Sequence, residues 1–179
     1  MTTIYSNKFT YDDLVLAWKR VVNDIQKNRV FANYSYEKEI YSQDLETWIN
    51  SVLEELDNNL YKPSPSVICN IPKSGYGIRP GGYICFKDRL VYYALLGKVL
   101  PFIKKELEWS DGKVDFGNNL EKRNGSLETI KNRYKSWSRF RKNGMKLLGE
   151  GCEKVVFTDI TGYYENIDTS ALCSDLRQI

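Results

Sequence analysis

Histidine is absent from the 179 residues of this chain, and cysteine is scarce. The four cysteines, at positions 69, 85, 152 and 173, form no CxxC pair. These absences exclude most zinc sites and every mechanism that needs a histidine base. A bound metal ion would instead need oxygen ligands, which are the donors that Mg²⁺ prefers.

Long hydrophobic runs are also missing. No run approaches the roughly 18 apolar residues that a membrane-spanning helix requires. The first residues, MTTIYSNKFTYDD, have neither the basic start nor the apolar core of a signal peptide. We therefore expect a cytoplasmic protein that does not bind membranes.

Positive charge is concentrated in one segment. Residues 122–146 contain nine Lys or Arg and a single acid, Glu128, whereas the other residues together carry a net charge of −5. Such a block indicates either a polyanion partner or a solvated helix face. Aromatic residues recur within it at helical spacing, so we expect an amphipathic helix with its apolar side toward the core.

Helical signals dominate the first part of the chain. Residues 10–28 carry one apolar stripe, and Thr10 is placed to cap this helix together with Asp13. A second helix is predicted at 43–60, capped by Ser42 and with Leu60 on its inner face. Near the end of the chain, Asp168 is predicted to cap a helix that begins at TSALCSDL.

The middle of the chain predicts a β-hairpin. Two apolar runs, 67–71 and 83–86, flank a Gly-rich segment with a turn at 74–77. Cys69 and Cys85 are expected to face each other across it. A helix follows, with Asp88 as its predicted cap and a kink or interruption at Pro101, and residues 109–126 and 142–154 are predicted to be loops.

The position of one carboxylate requires a functional explanation. The run at 155–160 predicts a buried strand, and Asp159 lies within it although a buried carboxylate is costly unless it is paired or binds a metal. Lys73 and Arg79, in the hairpin, are cations suited to phosphate oxygens. A metal carboxylate, phosphate-binding cations and a basic helix are together typical of a nucleotide-polymerising enzyme.

The motifs resemble those of bacterial reverse transcriptases. IPKSGYGIRP followed by FKDRLVYYALLGKVLP is similar to their fingers region, and VVFTDITGYYENID is similar to the first metal-binding motif of their palm. The motifs are most similar to those of the abortive-infection and defense-associated enzymes, and the resemblance spans about residues 67–172. It implies an RNA-directed DNA polymerase that acts in antiviral defense.

The resemblance also implies roles for individual residues. Asp159 would bind Mg²⁺ with the Ile160 carbonyl, and Tyr164 would exclude the 2′-hydroxyl of a ribonucleotide. Lys73 and Arg79 would hold the incoming dNTP. The cations expected to contact nucleic acid are Arg133, Lys135, Arg139, Arg141 and Lys142.

The later carboxylates of this family have no counterpart here. No adjacent acidic pair follows Asp159, and the thumb is missing, so we expect the 179-residue segment alone to be inactive. Two alternatives stay open: a catalytically dead RNA-binding or assembly scaffold, and another palm-fold enzyme such as a cyclic-nucleotide synthase. The hairpin motif argues against the latter.

These expectations combine into one architecture. The predicted class is α+β, with a helical region at 1–62, fingers with the basic helix at 63–150, and the start of a right-hand polymerase palm at 151–179. The expected partners are an RNA template, a DNA product, dNTPs and Mg²⁺. A homo-oligomer is also possible on this view.

Overall fold

A computed structural model describes the following residues: 8–27, 31, 33–72, 75, 77–107, 121–123, 126–128, 133–156, 158 and 166–177. It divides the chain into two compact units, Met1–Val99 and Leu100–Ile179. The predicted region 63–150 contributes to both units, and the predicted boundaries of the three regions stay predictions. Among the described helices, none is both long and apolar enough to cross a membrane.

The described residues form six helices and two short antiparallel sheets, which confirms the α+β class and the helical N-terminus. The elements, in chain order, are α1 (Tyr11–Lys27), α2 (Asn33–Ser42), α3 (Leu45–Asp57), β1 (Val67–Pro72), β2 (Ile78–Tyr83), α4 (Phe86–Leu107), β3 (Glu121–Arg123), β4 (Ser126–Glu128), α5 (Arg133–Gly149) and α6 (Thr169–Leu176).

Two helices begin where their capping residues predict. The Thr10 hydroxyl and backbone N–H both donate to Asp13 at 2.9 Å, and the Asp13 N–H donates back to the Thr10 hydroxyl at 3.2 Å. The Asp168 carboxylate accepts from the N–H groups of Ser170 and Ala171 at 2.9 and 3.0 Å. Both predictions are confirmed, because these caps need only residues within one turn.

The second predicted helix is shorter than expected and has a different cap. Asp44, not Ser42, caps α3, and its carboxylate accepts from the Thr47 N–H at 3.3 Å. Ser42 instead ends α2, a helix that the apolar pattern did not predict. Leu60 lies beyond α3 and is 68% exposed, so its predicted core position is wrong.

The predicted hairpin forms, with a different second strand. β1 pairs with β2 from Val67 opposite Tyr83 to Pro72 opposite Ile78. The second strand therefore ends at Tyr83, where the apolar pattern placed its start. Cys69 lies opposite Gly81, so the expected pairing of Cys69 with Cys85 across the hairpin is wrong.

Helix α4 begins two residues before its predicted cap. The Arg89 N–H donates to the Cys85 carbonyl at 3.0 Å, so the helix starts at Phe86 and Asp88 lies inside its first turn. The predicted capping role of Asp88 is wrong. Pro101 does not interrupt the helix, which continues to Leu107.

The core of the first unit lies between α1, α3 and the start of α4. Its largest fully buried side chains are Phe86, Leu14, Ile49, Leu90, Val21 and Val52. Burying each of these side chains contributes roughly 1.5–3 kcal/mol. The Phe86 ring contacts Trp18 at 5.3 Å and Tyr41 at 5.5 Å between ring centroids, so α1 and α2 meet the start of α4 through aromatic side chains.

The second unit differs from its prediction in two short strands and in the length of α5. Strands β3 and β4 form at Glu121–Arg123 and Ser126–Glu128, where a loop and the start of the basic helix were expected. Helix α5 continues to Gly149, through most of the predicted loop at 142–154. One glycine inside a helix costs only about 1 kcal/mol relative to alanine, so Gly144 does not end it.

The predicted strand at 155–160 is not formed where the structure describes it. Val155 and Val156 lie outside regular secondary structure and are 60% and 87% exposed. A short apolar run forms a buried strand only beside a neighbouring strand, and none pairs with these two residues among those described. Phe157, Asp159 and Ile160 lie outside the described residues.

Candidate functional site

Several predicted site residues lie outside the part of the chain that the structure describes. They are Lys73, Asp159, Ile160 and Tyr164. Arg133 and Lys135 lie within α5, but their side chains are outside the described set. The roles of these six residues stay predictions. Across the described ranges, no three acidic or cysteine side chains come together in a way that would hold a metal ion.

Arg79 lies in β2, opposite Ile71, and its side chain is exposed. Gly81, two residues further along β2, leaves room for the Ile71 side chain. A Cβ placed on Gly81 would overlap Ile71 Cδ1 and lie 2.8 Å from Ile71 Cγ1. The hairpin thus presents an accessible guanidinium next to a closely packed Gly–Ile contact.

The base of the hairpin is attached to α2 by a tyrosine. The Tyr34 hydroxyl donates to the Ile84 carbonyl at 2.9 Å and accepts from the Ile84 N–H at 3.2 Å. The Tyr83 ring stacks on the Tyr34 ring, with centroids 4.9 Å apart and planes 17° apart. Since a two-stranded hairpin is at best marginally stable alone, these contacts fix where β2 ends and α4 begins.

A carboxylate of α2 holds the Tyr83 hydroxyl. Tyr83 donates a hydrogen bond to Glu37 Oε1. Burial, followed by this hydrogen bond and the Glu37 charge, raises the pKa of Tyr83 above its ordinary value. The other Glu37 oxygen, Oε2, is buried and has no hydrogen-bond partner among the described residues.

An ion pair joins α1 to the start of α4. Arg89 pairs with Asp24, and its guanidinium lies 4.3 Å from the centre of the Tyr34 ring. Both charged side chains are mostly buried. Burial and then the Asp24 charge raise the pKa of Tyr93 to about 12. The partner of Arg89 thus lies on α1 and not within its own helix.

The Asp88 carboxylate accepts hydrogen bonds from the segment that precedes the hairpin. It is 6% exposed, and it accepts from the Tyr61 hydroxyl at 2.7 Å and the Ser64 N–H at 2.8 Å. Burial alone would raise the pKa of Asp88. Hydrogen bonds from Cys85, Tyr61 and Ser64 and the charge of Lys87 lower that pKa below its ordinary value instead.

Cys85 shares this environment, and its thiol lies 3.8 Å from Ser64 Oγ. Burial and then the hydrogen bond to Asp88 raise the pKa of the thiol. The thiol therefore stays protonated at neutral pH, which is the opposite of what a nucleophilic cysteine needs. Cys85 acts in packing and hydrogen bonding.

Among the described side chains of α5, cations and apolar residues are both exposed. Arg139, Arg141 and Lys142 are exposed. Trp137 and Phe140 are also exposed, at 60% and 45%, and their rings stack with centroids 5.3 Å apart. The exposed cations agree with the predicted cationic side, but the expected burial of Trp137 on the apolar side is wrong.

The anchoring residues Tyr34, Glu37 and Asp24 were not predicted from the sequence. Helix α2 has a weak apolar pattern, with Tyr34 as its one buried residue among those described. No local motif marks a tyrosine whose partner lies 50 positions away. In the same way, Asp24 reads as an ordinary surface position of α1 until Arg89 is placed beside it.

Comparison of the chain with protein-family models, curated proteins and solved structures found no match.

Proposed function

We propose that this chain is the N-terminal part of an RNA-directed DNA polymerase of the bacterial defense-associated type. The observation that carries the proposal is the order of three motifs: IPKSGYGIRP, then FKDRLVYYALLGKVLP, then VVFTDITGYYENID. Two features of the described residues agree with it. Arg79 is accessible on a hairpin, and a long helix without acidic residues exposes cations.

In this proposal the fingers and the first part of the palm come from this segment. Lys73 and Arg79 bind the triphosphate of the incoming dNTP, because guanidinium and ammonium groups bind phosphate oxygens strongly. Tyr164 blocks the 2′-hydroxyl of a ribonucleotide. The hydrogen bonds of Tyr34 and the ion pair of Arg89 keep the hairpin base in place.

Mg²⁺ is the proposed cofactor. The Asp159 carboxylate and the Ile160 carbonyl are hard oxygen donors, which fits this ion. When bound, Mg²⁺ supplies positive charge to the reacting phosphate. A single carboxylate is too few ligands for a two-metal site, so we expect activity only from a longer natural form that supplies the remaining carboxylates.

The α5 cations contact nucleic acid in this proposal. Arg139, Arg141 and Lys142 neutralise phosphates of the RNA template or the DNA product, and Arg133 and Lys135 extend this charge toward the start of the helix. Such contacts make the affinity fall steeply with salt concentration.

Incorporation of deoxynucleotides tests the proposal. On the longest natural form of the chain, we expect Mg²⁺-dependent incorporation on an RNA template, and its loss in Asp159→Ala with circular dichroism unchanged. Tyr164→Val should accept ribonucleotides that the parent protein rejects. Ribonucleotide use by the parent protein would favour a cyclic-nucleotide synthase instead.

A catalytically dead RNA-binding scaffold is the second candidate. The exposed Trp137 and the cations of α5 favour it, because they suit binding and do not require a metal site. This candidate predicts salt-sensitive RNA binding, no incorporation on any template, and no effect of Asp159→Ala except on stability.

A further inference from the structure

Two prolines fix which backbone groups of the hairpin point away from it. Pro80 of β2 lies opposite Asn70, and Pro72 follows Asn70 by two residues in β1. Proline has no backbone N–H, so both prolines belong to the non-hydrogen-bonded pairs of the ladder, whose backbone groups point outward. The alternate residues point inward, since the Cys69 carbonyl oxygen lies 3.8 Å from a Cβ placed on Gly81 of β2.

The outer side of β1 therefore offers the N–H and C=O groups of Ile68 and Asn70, which we name the open edge. Among the described strands, β1 pairs only with β2. No backbone group of the described residues outside the hairpin bonds to Ile68 or Asn70. The Ile68 side chain is 77% exposed, and Asn70 is exposed as well. Such an edge is a template for pairing with another strand.

The outer side of β2 is protected, in contrast to the open edge. Pro80 removes an outward N–H from the middle of β2, and Arg79 adds a charge beside it. Proline and charge are the means by which natural proteins prevent pairing at a strand edge. Strand β1 carries no charged residue, and its one proline, Pro72, is its last residue. This asymmetry indicates that β1 accepts a further strand and β2 does not.

The β1 strand of a second copy matches the open edge. In antiparallel pairing centred on Cys69, Ile68 of each copy lies opposite Asn70 of the other, and each of these pairs exchanges two hydrogen bonds. On the other face of the sheet, Val67 of each copy lies opposite Ile71 of the other. Cross-strand pairs of β-branched residues stabilise a sheet, and without charged residues in β1 no like charges oppose each other.

Other registers match less well. A shift by two residues in one direction places Ile68 opposite Pro72, which has no N–H to donate. The opposite shift places Ile71 opposite Pro65, which precedes the first residue of β1. A shift by one residue would set outward groups against inward ones. The sequence of β1 is thus complementary to itself in one register, a property that pairing with a strand of a different protein would not require.

We propose that two copies of this chain pair through their open edges and form one four-stranded antiparallel sheet, with strand order β2–β1–β1–β2. Both outer edges of this sheet belong to β2, and Pro80 prevents a further copy from adding to either. The assembly is therefore a closed dimer with two-fold symmetry. Residues 62–66, which precede β1, are exposed and leave room for the turn of the second copy. The dimer does not depend on the polymerase proposal.

Sedimentation velocity measures this dimer in reducing buffer. Six residues a side form the pairing, against about 20–30 in a standard interface, so we expect a dissociation constant of about 10–100 µM. Asn70→Pro places a second proline opposite Pro80 and removes one outward N–H from each copy. This variant should weaken dimerisation by at least about tenfold.

Two lysine substitutions form a matched pair. Ile68 and Ile78 lie on the same face of the hairpin and are 77% and 65% exposed, but only Ile68 belongs to the open edge. Ile68→Lys brings two ammonium groups together across the two-fold axis and should weaken the dimer by at least about tenfold. Ile78→Lys should change the dissociation constant by less than about twofold. Circular dichroism checks that each variant keeps its secondary structure.

A cross-link tests the register. Cys69 lies opposite Cys69 of the second copy in a non-hydrogen-bonded pair, with Cα atoms about 4.5 Å apart, a separation that a disulfide can span. Diamide, which takes up the two thiol hydrogens, should cross-link a variant in which Cys152 and Cys173 are serine. Adding Cys69→Ser leaves Cys85 as the remaining thiol, and this control should still dimerise without forming the cross-link.

Amide hydrogen exchange separates a second copy from other occupants of the open edge. Protection of the Ile68 and Asn70 amides should rise with protein concentration. Protection that is independent of concentration would assign the edge to another strand of the same chain and overturn the inference. A protein that stays monomeric up to about 1 mM, far above the expected constant, would also overturn it and leave the edge to a different protein.

Four further results would overturn the inference. They are a dimer that Asn70→Pro does not weaken, equal effects of Ile68→Lys and Ile78→Lys, assemblies larger than a dimer, and a cross-link that forms without Cys69. None of these results bears on Asp159-dependent incorporation, so the dimer and the polymerase proposal can fail separately.

Discussion

Removing the Asp88 carboxylate should destabilise the first unit by about 3 kcal/mol. The estimate follows from its hydrogen bonds, since each bond to an ionised acceptor contributes roughly 1.5–3 kcal/mol. Tyr61 donates at 2.7 Å and Ser64 at 2.8 Å. Ser64 is exposed, so water can replace its partner in Asp88→Ala. We therefore take the lower value for each bond, which leads to the figure of about 3 kcal/mol.

Urea unfolding followed by tryptophan fluorescence measures this loss. Tyr61→Phe removes one of the two bonds and should cost about 1.5 kcal/mol. Asp12→Asn, an exposed carboxylate in the first turn of α1, is the matched control and should change stability by less than about 0.5 kcal/mol. Tyr61→Phe and Asp88→Ala must be strongly non-additive in a double-mutant cycle. Additive effects would refute the argument that these two groups stabilise the fold through each other.

The direction in which stability changes with pH is defined at both acid and alkaline pH. The pKa of Asp88 is lower in the folded protein than its ordinary value of 3.8. Its contribution is therefore present above that value and lost as the pH falls through 3.8 toward the folded pKa. The pKa of Tyr61 is raised above 10 by burial and by Asp88, so its contribution is present below pH 10 and lost above it. Asp88→Ala should flatten the acid side of the stability profile, and Tyr61→Phe the alkaline side.

Two further predictions concern the hairpin and its anchor. Gly81→Val should destabilise the protein by about 1–3 kcal/mol because the new side chain overpacks against Ile71. Gly82→Val is the control and should be nearly neutral, because a Cβ at Gly82 meets no atom closer than 4.0 Å. Equal effects of the two variants in thermal melts would contradict this prediction. Arg89→Met removes the ion pair between Arg89 and Asp24, and we expect a loss of about 3 kcal/mol. A loss below about 1 kcal/mol in urea unfolding would place this pair among ordinary surface ion pairs.

Local sequence signals predicted the elements whose determinants lie close together in the chain. Helix α1 is capped by Thr10 and Asp13. Helix α6 is capped by Asp168, whose carboxylate accepts hydrogen bonds from the N–H groups of Ser170 and Ala171. The hairpin was found because apolar runs flank a Gly-rich turn, in which Gly75 has a φ of 97°. The predicted position of its second strand was wrong, because β2 ends at Tyr83 and residues 84–86 lead into α4.

Charge was predicted more successfully than burial. The cationic character of α5 follows from composition alone, and Arg79 is exposed on β2. Burial of an apolar stripe depends on what lies against it, which periodicity cannot specify. The exposure of Trp137 is the clearest example, because helical spacing predicted that this residue faces the core.

The sequence by itself determined the α+β class, the caps of α1 and α6, the hairpin and the basic helix, because each depends on side chains within a few residues of one another. Tertiary structure alone decided the partners of Asp88 and Arg89 and the role of Tyr34. Asp88 meets Tyr61 from 27 positions away, and Arg89 meets Asp24 from 65. A buried carboxylate or guanidinium is stable only when such a partner satisfies it, and which residue does so depends on how the helices pack.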